Sequence, residues 1–114
     1  MARSRIFELR TYVATPGRLD ALSARFREHT MRLFAAHGIE VVSFFIARDA
    51  DDASSGKLVY LCAYADRAAA ERAWAAFRED PEWQRARAES EREGSLTTSV
   101  ESLFMEPTDY SPLE

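Results

Sequence analysis

The sequence predicts an α+β domain in which four strands and two helical regions alternate as β-α-β-β-α-β. Three observations carry this. Residues 5–13 alternate in polarity like a half-covered strand. Two further runs, 39–47 and 57–65, are β-branched and aromatic. Two stretches with helical spacing separate the outer strands from that central pair. At 114 residues the chain has room for one domain, and with 46% apolar residues it can bury a core.

The first strand carries Glu8, Arg10 and Tyr12 on one face and Phe7, Leu9, Thr11 and Val13 on the other. Thr15-Pro16-Gly17 breaks it, with Thr15 as an N-cap and Pro16 at the first helical position. Leu19, Leu22, Phe26, Leu33 and Phe34 then recur at helical spacing, and Gly38 fits the position past the helix end. The second strand is apolar on both sides through Val41, Val42, Phe44, Phe45 and Ile46. A hairpin loop over 48–56 leads to the third, where Leu58, Tyr60, Cys62 and Tyr64 oppose Val59, Leu61 and Ala63. Asp66 caps a second helix with a stripe of Ala70, Ala73, Trp74 and Phe77. Asp80-Pro81 restarts it through about Glu93, and Gly94 ends it. The last strand, 96–105, places Thr97, Ser99 and Glu101 on one face and Thr98, Val100 and Phe104 on the other. A tail follows over 106–114.

This order is the split βαβ, or ferredoxin-like, arrangement. Right-handed crossovers put both helices on one sheet face. The opposite face is left bare although two strands are apolar on both sides. The economical solution is a two-fold homodimer whose bare faces cover each other.

Composition excludes several classes. A net charge of -4, with bases interleaved among acids, argues against nucleic acid as a partner. No apolar run approaches the ~20 residues that span a bilayer, so no membrane partner is expected. Met1 to Arg5 is polar with no apolar segment behind it, so a signal peptide is not expected and the cytoplasm is the default. Cys62, the lone cysteine, falls within an apolar strand and reads as a small hydrophobe.

Glu8-Leu9-Arg10-Thr11-Tyr12, Pro16-Gly17, His37-Gly38, Asp80-Pro81-Glu82-Trp83 and Pro107-Thr108-Asp109-Tyr110-Ser111-Pro112-Leu113 together resemble the NIPSNAP family over nearly the whole chain. The resemblance implies a dimeric α/β barrel of ferredoxin-like fold. It does not imply a reaction, since that superfamily includes cofactor-free monooxygenases, isomerases, haem enzymes and plain binding proteins.

The candidate chemistry rests on strand order 4-1-3-2, which makes the first and third strands central. Glu8 and Arg10 then share a covered face with Tyr12, and Thr97, Ser99 and Glu101 lie across on the fourth strand. One reading is a polar cleft in which Arg10 holds a carboxylate or enolate oxygen and Glu8 orients or moves a proton. The other is a structural ion-pair network at the dimer interface. His29, at the edge of the first helix's stripe, is the other acid-base candidate if it looks into the cleft. His37, in the last turn, suits the helix dipole. The two histidines are about two turns, ~12 Å, apart along one helix, so they do not share a metal. A single haem ligand remains open, although no cofactor is expected. Tyr12, Tyr60, Tyr64 and Phe26 are the candidate ligand-binding residues, suited to a small, aromatic molecule. Trp74, Phe77 and Trp83 read as packing residues. Three function classes follow: an enzyme carrying out cofactor-independent oxygenation or isomerisation, a non-catalytic ligand-binding or interaction module, and a haem-binding protein.

Overall fold

The computed structural model describes residues 5–47 and 56–113. Most of the expected hairpin loop and the first four residues lie outside the described residues. Strands β1 (Ile6–Ala14), β2 (Glu40–Ile46), β3 (Lys57–Tyr64) and β4 (Thr97–Met105) form one antiparallel sheet in the order β2-β3-β1-β4. This is the ferredoxin-like order the sequence predicts.

The first helical region has three contiguous pieces: α1 (Leu19–Arg25), a π-helical turn (Phe26–Thr30) and α2 (Met31–Ala36). Thr15 does not cap it. Its hydroxyl donates to the Ser95 carbonyl at 2.8 Å, while Thr15-Pro16-Gly17 forms a turn closed by the Arg18 N–H on the Thr15 carbonyl. Gly17 sits there at φ 80°, a conformation that glycine adopts without steric cost. The π turn has no signature in the residue spacing. The Thr30 hydroxyl donates to the Arg25 carbonyl at 3.3 Å, five residues back. π turns of this kind recur at functional sites.

The second helical region is α3 (Arg67–Glu79) followed by α4 (Pro81–Ser90). Both expected caps are present. Asp66 accepts from the Ala69 N–H and Asp80 from the Glu82 N–H, each at 2.8 Å. The last helix stops at Ser90 rather than Glu93, and a turn carries the chain to Gly94.

The core lies between the helices and one sheet face. Leu22, Phe26, Leu33 and Phe34 from the first region and Ala70, Trp74 and Phe77 from α3 pack on Tyr12, Leu58, Tyr60, Cys62 and Tyr64. Phe34 is central, with ring centroids of Phe77, Trp74, Tyr60 and Phe26 within 4.9 to 6.3 Å. The opposite face bears Leu9, Val59 and Leu61, half-buried, with Phe45 and Leu103 exposed.

Because Phe34 is 1% exposed and touches both helical regions, Phe34→Ala should lower unfolding free energy by about 3–5 kcal/mol. Urea denaturation followed by circular dichroism measures this. A loss under about 1 kcal/mol would place the core elsewhere.

Candidate active site

Strand polarity alone puts Glu8, Arg10 and Tyr12 on one face of β1. The register shows which face and which neighbours. Arg10 lies opposite Tyr60 on β3 and Ser102 on β4, and Glu8 opposite Cys62 and Phe104. These side chains point toward the helices, so the polar row lies in the cleft beneath α3 and not on the bare face. The reading of a network at a dimer interface is therefore corrected. Two of the expected partners on β4 are corrected too. Glu101 and Ser99 oppose Thr11 and Val13, on the other face, whereas Thr97, opposite Ala14 beyond a register shift at Val13/Ala14, does line the cavity beside Arg10 and Tyr12, as expected. A one-residue change of register exchanges the two faces completely.

Glu8 is 2% exposed and would be unaffordable without partners. It has three. The Tyr64 hydroxyl donates to Oε1 at 2.6 Å, Arg10 Nη1 donates to Oε2 at 2.9 Å, and the Ser102 hydroxyl also donates to Oε2. Trp74 Nε1 donates to the Tyr64 hydroxyl at 2.7 Å, which fixes the Tyr64 proton on Glu8. Burial pushes the Glu8 carboxyl upward, but the hydrogen bonds from Ser102, Tyr64 and Arg10 outweigh it, and the group stays below its ordinary value. Burial, together with the bond to Glu8, raises the Tyr64 phenol. Burial likewise pushes the Cys62 thiol up to about 12, so it is a neutral, fully buried hydrophobe.

Arg10 links this carboxylate to a second cluster. Its Nε donates to the Tyr60 hydroxyl at 3.0 Å and its Nη2 to the Tyr12 hydroxyl at 3.2 Å, and the two hydroxyls are 2.8 Å apart. Its guanidinium lies 4.2 Å from the Trp74 ring centroid. Burial disfavours the charge, yet the neighbouring phenols and Glu8 hold it, and the Arg10 pKa is raised. Burial, with the adjacent Tyr12, also raises Tyr60 well above the ordinary phenol range. Phe26, presented by the π turn, closes the aromatic side with its ring 5.3 Å from Tyr60 and 5.5 Å from Tyr12.

A cavity of about 260 Å³ opens beside this network, walled by Arg10, Tyr12, Phe26, Trp74, Phe77 and Trp83, with Arg25, Arg78, Arg87 and Glu91 also lining it. All four expected ligand-binding residues belong to the cluster, but Tyr60 and Tyr64 support it from beneath and do not line the cavity. His29 does not join it. The inward stripe of Leu22, Phe26 and Leu33 leaves His29 on a flank, where it lines a separate groove of about 440 Å³ against α4. His37 does more than face the helix dipole, since its Nε2 is 2.7 Å from Asp80 Oδ2. That bond, with the Glu82 N–H, holds the Asp80 carboxyl below its ordinary value. Among the described residues there is no group of three or more His, Cys, Asp or Glu placed to hold a metal ion.

Sequence reasoning missed Ser102, Arg25 and the polar role of Trp74. Ser102 depends on register. Arg25 is a charged residue in a helix yet 7% exposed. The Trp74 indole N–H needed an acceptor once buried, and that requirement was the available signal.

With the geometry established, comparison with known proteins adds the lineage. The NIPSNAP family model matches residues 7–112. The chain belongs to the NIPSNAP family. A NIPSNAP family protein of unknown function from Agrobacterium tumefaciens has the same fold, with TM-score 0.83 and 21% identity, the match covering 100% of this chain and 97% of that one. An uncharacterized NIPSNAP-like domain protein from Burkholderia xenovorans gives 0.81 at 20% identity, over 97% and 91%. SnoaB, a cofactor-independent oxygenase from Streptomyces nogalater, is more distant at 0.55 and 18% identity, over 99% and 100%. No curated protein gives a significant match. At these identities the likeness concerns the fold alone, so the function of this NIPSNAP chain has to be argued from its own site.

Removing Arg10 alone strands a buried carboxylate. Arg10→Leu should cost about 3–5 kcal/mol of stability, and Glu8→Leu with Arg10→Leu should recover much of it. Urea denaturation of wild type, both singles and the double reads the coupling, and additive losses would contradict the pairing. The lowered Glu8 pKa also sets a pH dependence. Its contribution is complete above the ordinary value of 4.5 and is lost as pH falls through the lower folded value. Wild-type stability should therefore fall below pH 4.5 more steeply than that of Glu8→Gln. Parallel slopes would show that Glu8 is not the titrating group.

Proposed function

We propose that this NIPSNAP protein binds a small, aromatic organic molecule in the cavity between helices and sheet, and that the Tyr12 hydroxyl donates to an oxygen of that molecule. One observation carries the reading. Arg10 donates to both the Tyr12 and the Tyr60 hydroxyl oxygens, and those oxygens are 2.8 Å apart. Only one of the two O–H protons fits between them, so the other is left for a further acceptor. Tyr12 lines the cavity, whereas Tyr60 is fully buried. With Tyr60 donating to Tyr12, the Tyr12 proton serves the ligand. The Arg10 cation behind it favours an oxygen carrying negative charge, such as a phenolate or enolate.

The same arrangement supports a catalytic reading, cofactor-independent oxygenation or isomerisation of a substrate that ionises at an oxygen. The likeness in fold to SnoaB is an analogy in its favour. Arg10 and Tyr12 would stabilise the substrate anion. Glu8, already accepting three hydrogen bonds and held below its ordinary pKa, is a weak base, and His29 lines another groove. Proton transfer would then fall to the substrate itself or to water. A haem-binding role has less support, because His37 is committed to Asp80.

A homodimer through the bare sheet faces belongs to the same reading. Leu103 is 57% exposed and Phe45 56%, flanking half-buried Leu9 and Leu61, and a second copy would cover them. We assign the protein to the cytoplasm, consistent with its single buried reduced thiol. No helix among the described residues is long and apolar enough to cross a membrane.

Isothermal titration calorimetry with 2-naphthol tests the site. Tyr12→Phe should weaken binding about tenfold, while Tyr110→Phe, in the exposed tail, should leave it unchanged. Equal affinities for wild type and Tyr12→Phe would refute the donor role. Native mass spectrometry should show two chains for wild type and one for Leu103→Glu. A single-chain wild type would remove the dimer.

A further inference from the structure

The cavity wall is unevenly charged. Arg10, Arg25, Arg78 and Arg87 contribute to it, against Glu91 alone. Arg10 is balanced by Glu8 beneath the sheet surface. Arg25 and Arg87 share Glu91, with Arg25 Nη1 at 3.0 Å from Oε2 and Arg87 Nε at 3.5 Å from Oε1. Arg78 makes no ion pair with a described residue and packs over Trp74 at 5.6 Å. Arg25, Arg78 and Arg87 against the one Glu91 leave the wall with a net excess of two positive charges, and Arg78 is without a carboxylate among the described residues.

Arg25 is the telling member. Its side chain is 6% exposed, and its Nε–H is buried with no hydrogen-bond partner. A buried guanidinium N–H without an acceptor costs free energy in the empty protein. An acceptor brought by a ligand would recover that cost. Arg25 also borders the groove that holds His29, but there Arg25, Arg32 and Arg85 face Glu28, Glu82 and Glu89, so that groove has no preference for an anion. The helix–sheet cavity does.

The rest of its wall is largely aromatic, completed by Thr30, Ser95, Thr97 and Val100. Trp83 lies under Arg25 with the guanidinium 5.2 Å from its ring centroid, and Trp74 lies under Arg10 and Arg78. Phe77 packs between the two indoles, at 5.5 Å from Trp74 and 4.7 Å from Trp83, so the three rings form one aromatic wall against which a flat ligand ring can lie. At about 260 Å³ the space falls just below the usual range of ligand cavities, roughly 300 to 1,000 Å³, and suits a small ligand.

We infer that the natural ligand is an aromatic carboxylate of one or two rings, its carboxylate held by Arg25 and Arg78 and its ring lying against the aromatic wall of Trp74, Phe77 and Trp83. The planar guanidinium fork of Arg25 matches a carboxylate in geometry and charge. This rests on the proposed binding cavity and adds the ligand's charge and its orientation. The ring then reaches toward Tyr12, where an oxygen substituent would meet the free hydroxyl proton.

The test compares 2-naphthoate with its neutral counterpart 2-naphthalenemethanol on the full chain, by calorimetry and by the indole N–H signals of Trp74 and Trp83, the only two tryptophans. The carboxylate should bind at least about tenfold more tightly and shift both indole signals. Arg25→Lys, which keeps the charge but loses the fork, and Arg78→Ala, at an exposed position, should each erase most of that preference. Equal affinity for acid and alcohol, with both indoles shifting, would overturn the anion assignment and leave the cavity as a binding site. A preference that survives both variants would overturn it as well. Failure of both compounds to saturate or to move either indole would bring down the inference and the binding cavity together.

Discussion

A carboxylate on the middle strand of the sheet, covered by a helix, is the constraint on which the rest of this structure depends. Glu8 is satisfied by donors from three adjacent strands, namely Arg10 on its own strand, Tyr64 on β3 and Ser102 on the edge strand β4, with Trp74 of α3 supporting Tyr64 from above. No apolar contact specifies register so narrowly. A slip of β4 by one residue would take Ser102 to the other face, and a slip of β3 would remove Tyr64. Loss of either donor would leave a buried charge short of a partner, so the same bonds that pay for the carboxylate also align three strands and one helix. Arg10 passes the constraint on. Held by Glu8 and stacked on Trp74, it places the hydroxyls of Tyr12 and Tyr60 together, and on the proposed reading the Tyr12 proton is the one left for a ligand.

The two sheet faces have separate tasks. The helix-covered face carries every buried polar group of the network and the cavity beside it. The other is apolar at its centre and carries no comparable cluster. A homodimer through the bare face would leave the cavity, which lies on the helix-covered face, away from the contact. In that arrangement association and ligand binding would draw on different residues. NIPSNAP relatives share the scaffold at about one-fifth identity, which suffices to keep strand order and helix placement. The chemistry depends on what each chain places in the cleft.

Much of the fold was legible in the sequence. Alternation gave β1, caps at Asp66 and Asp80 gave the starts of α3 and α4, and the order of elements gave the sheet topology. The polar row Glu8, Arg10, Tyr12 was legible from period-two spacing alone, as was its covered position once β1 was central. Three features were not legible, each for a physical reason. Pairing register decides which β4 residue faces Glu8, and neither parity nor propensity specifies it, so Ser102 was missed and Ser99 and Glu101 were placed on the wrong side. The π turn at Phe26–Thr30 leaves no periodic trace in five residues. Arg25 is a charged residue that periodicity assigns to solvent, and its burial follows from α4 packing across α1, a contact between segments some 60 residues apart that one sequence does not reveal.

A crystallographic fragment screen on wild-type protein tests the central claim, that the helix–sheet cavity beside Arg10 and Tyr12 is where this protein meets its ligand. Aromatic fragments should gather against the wall of Trp74, Phe77 and Trp83 with an oxygen within hydrogen-bond distance of the Tyr12 hydroxyl. Fragments gathered only in the His29 groove or on the bare sheet face, with this cavity empty, would contradict it.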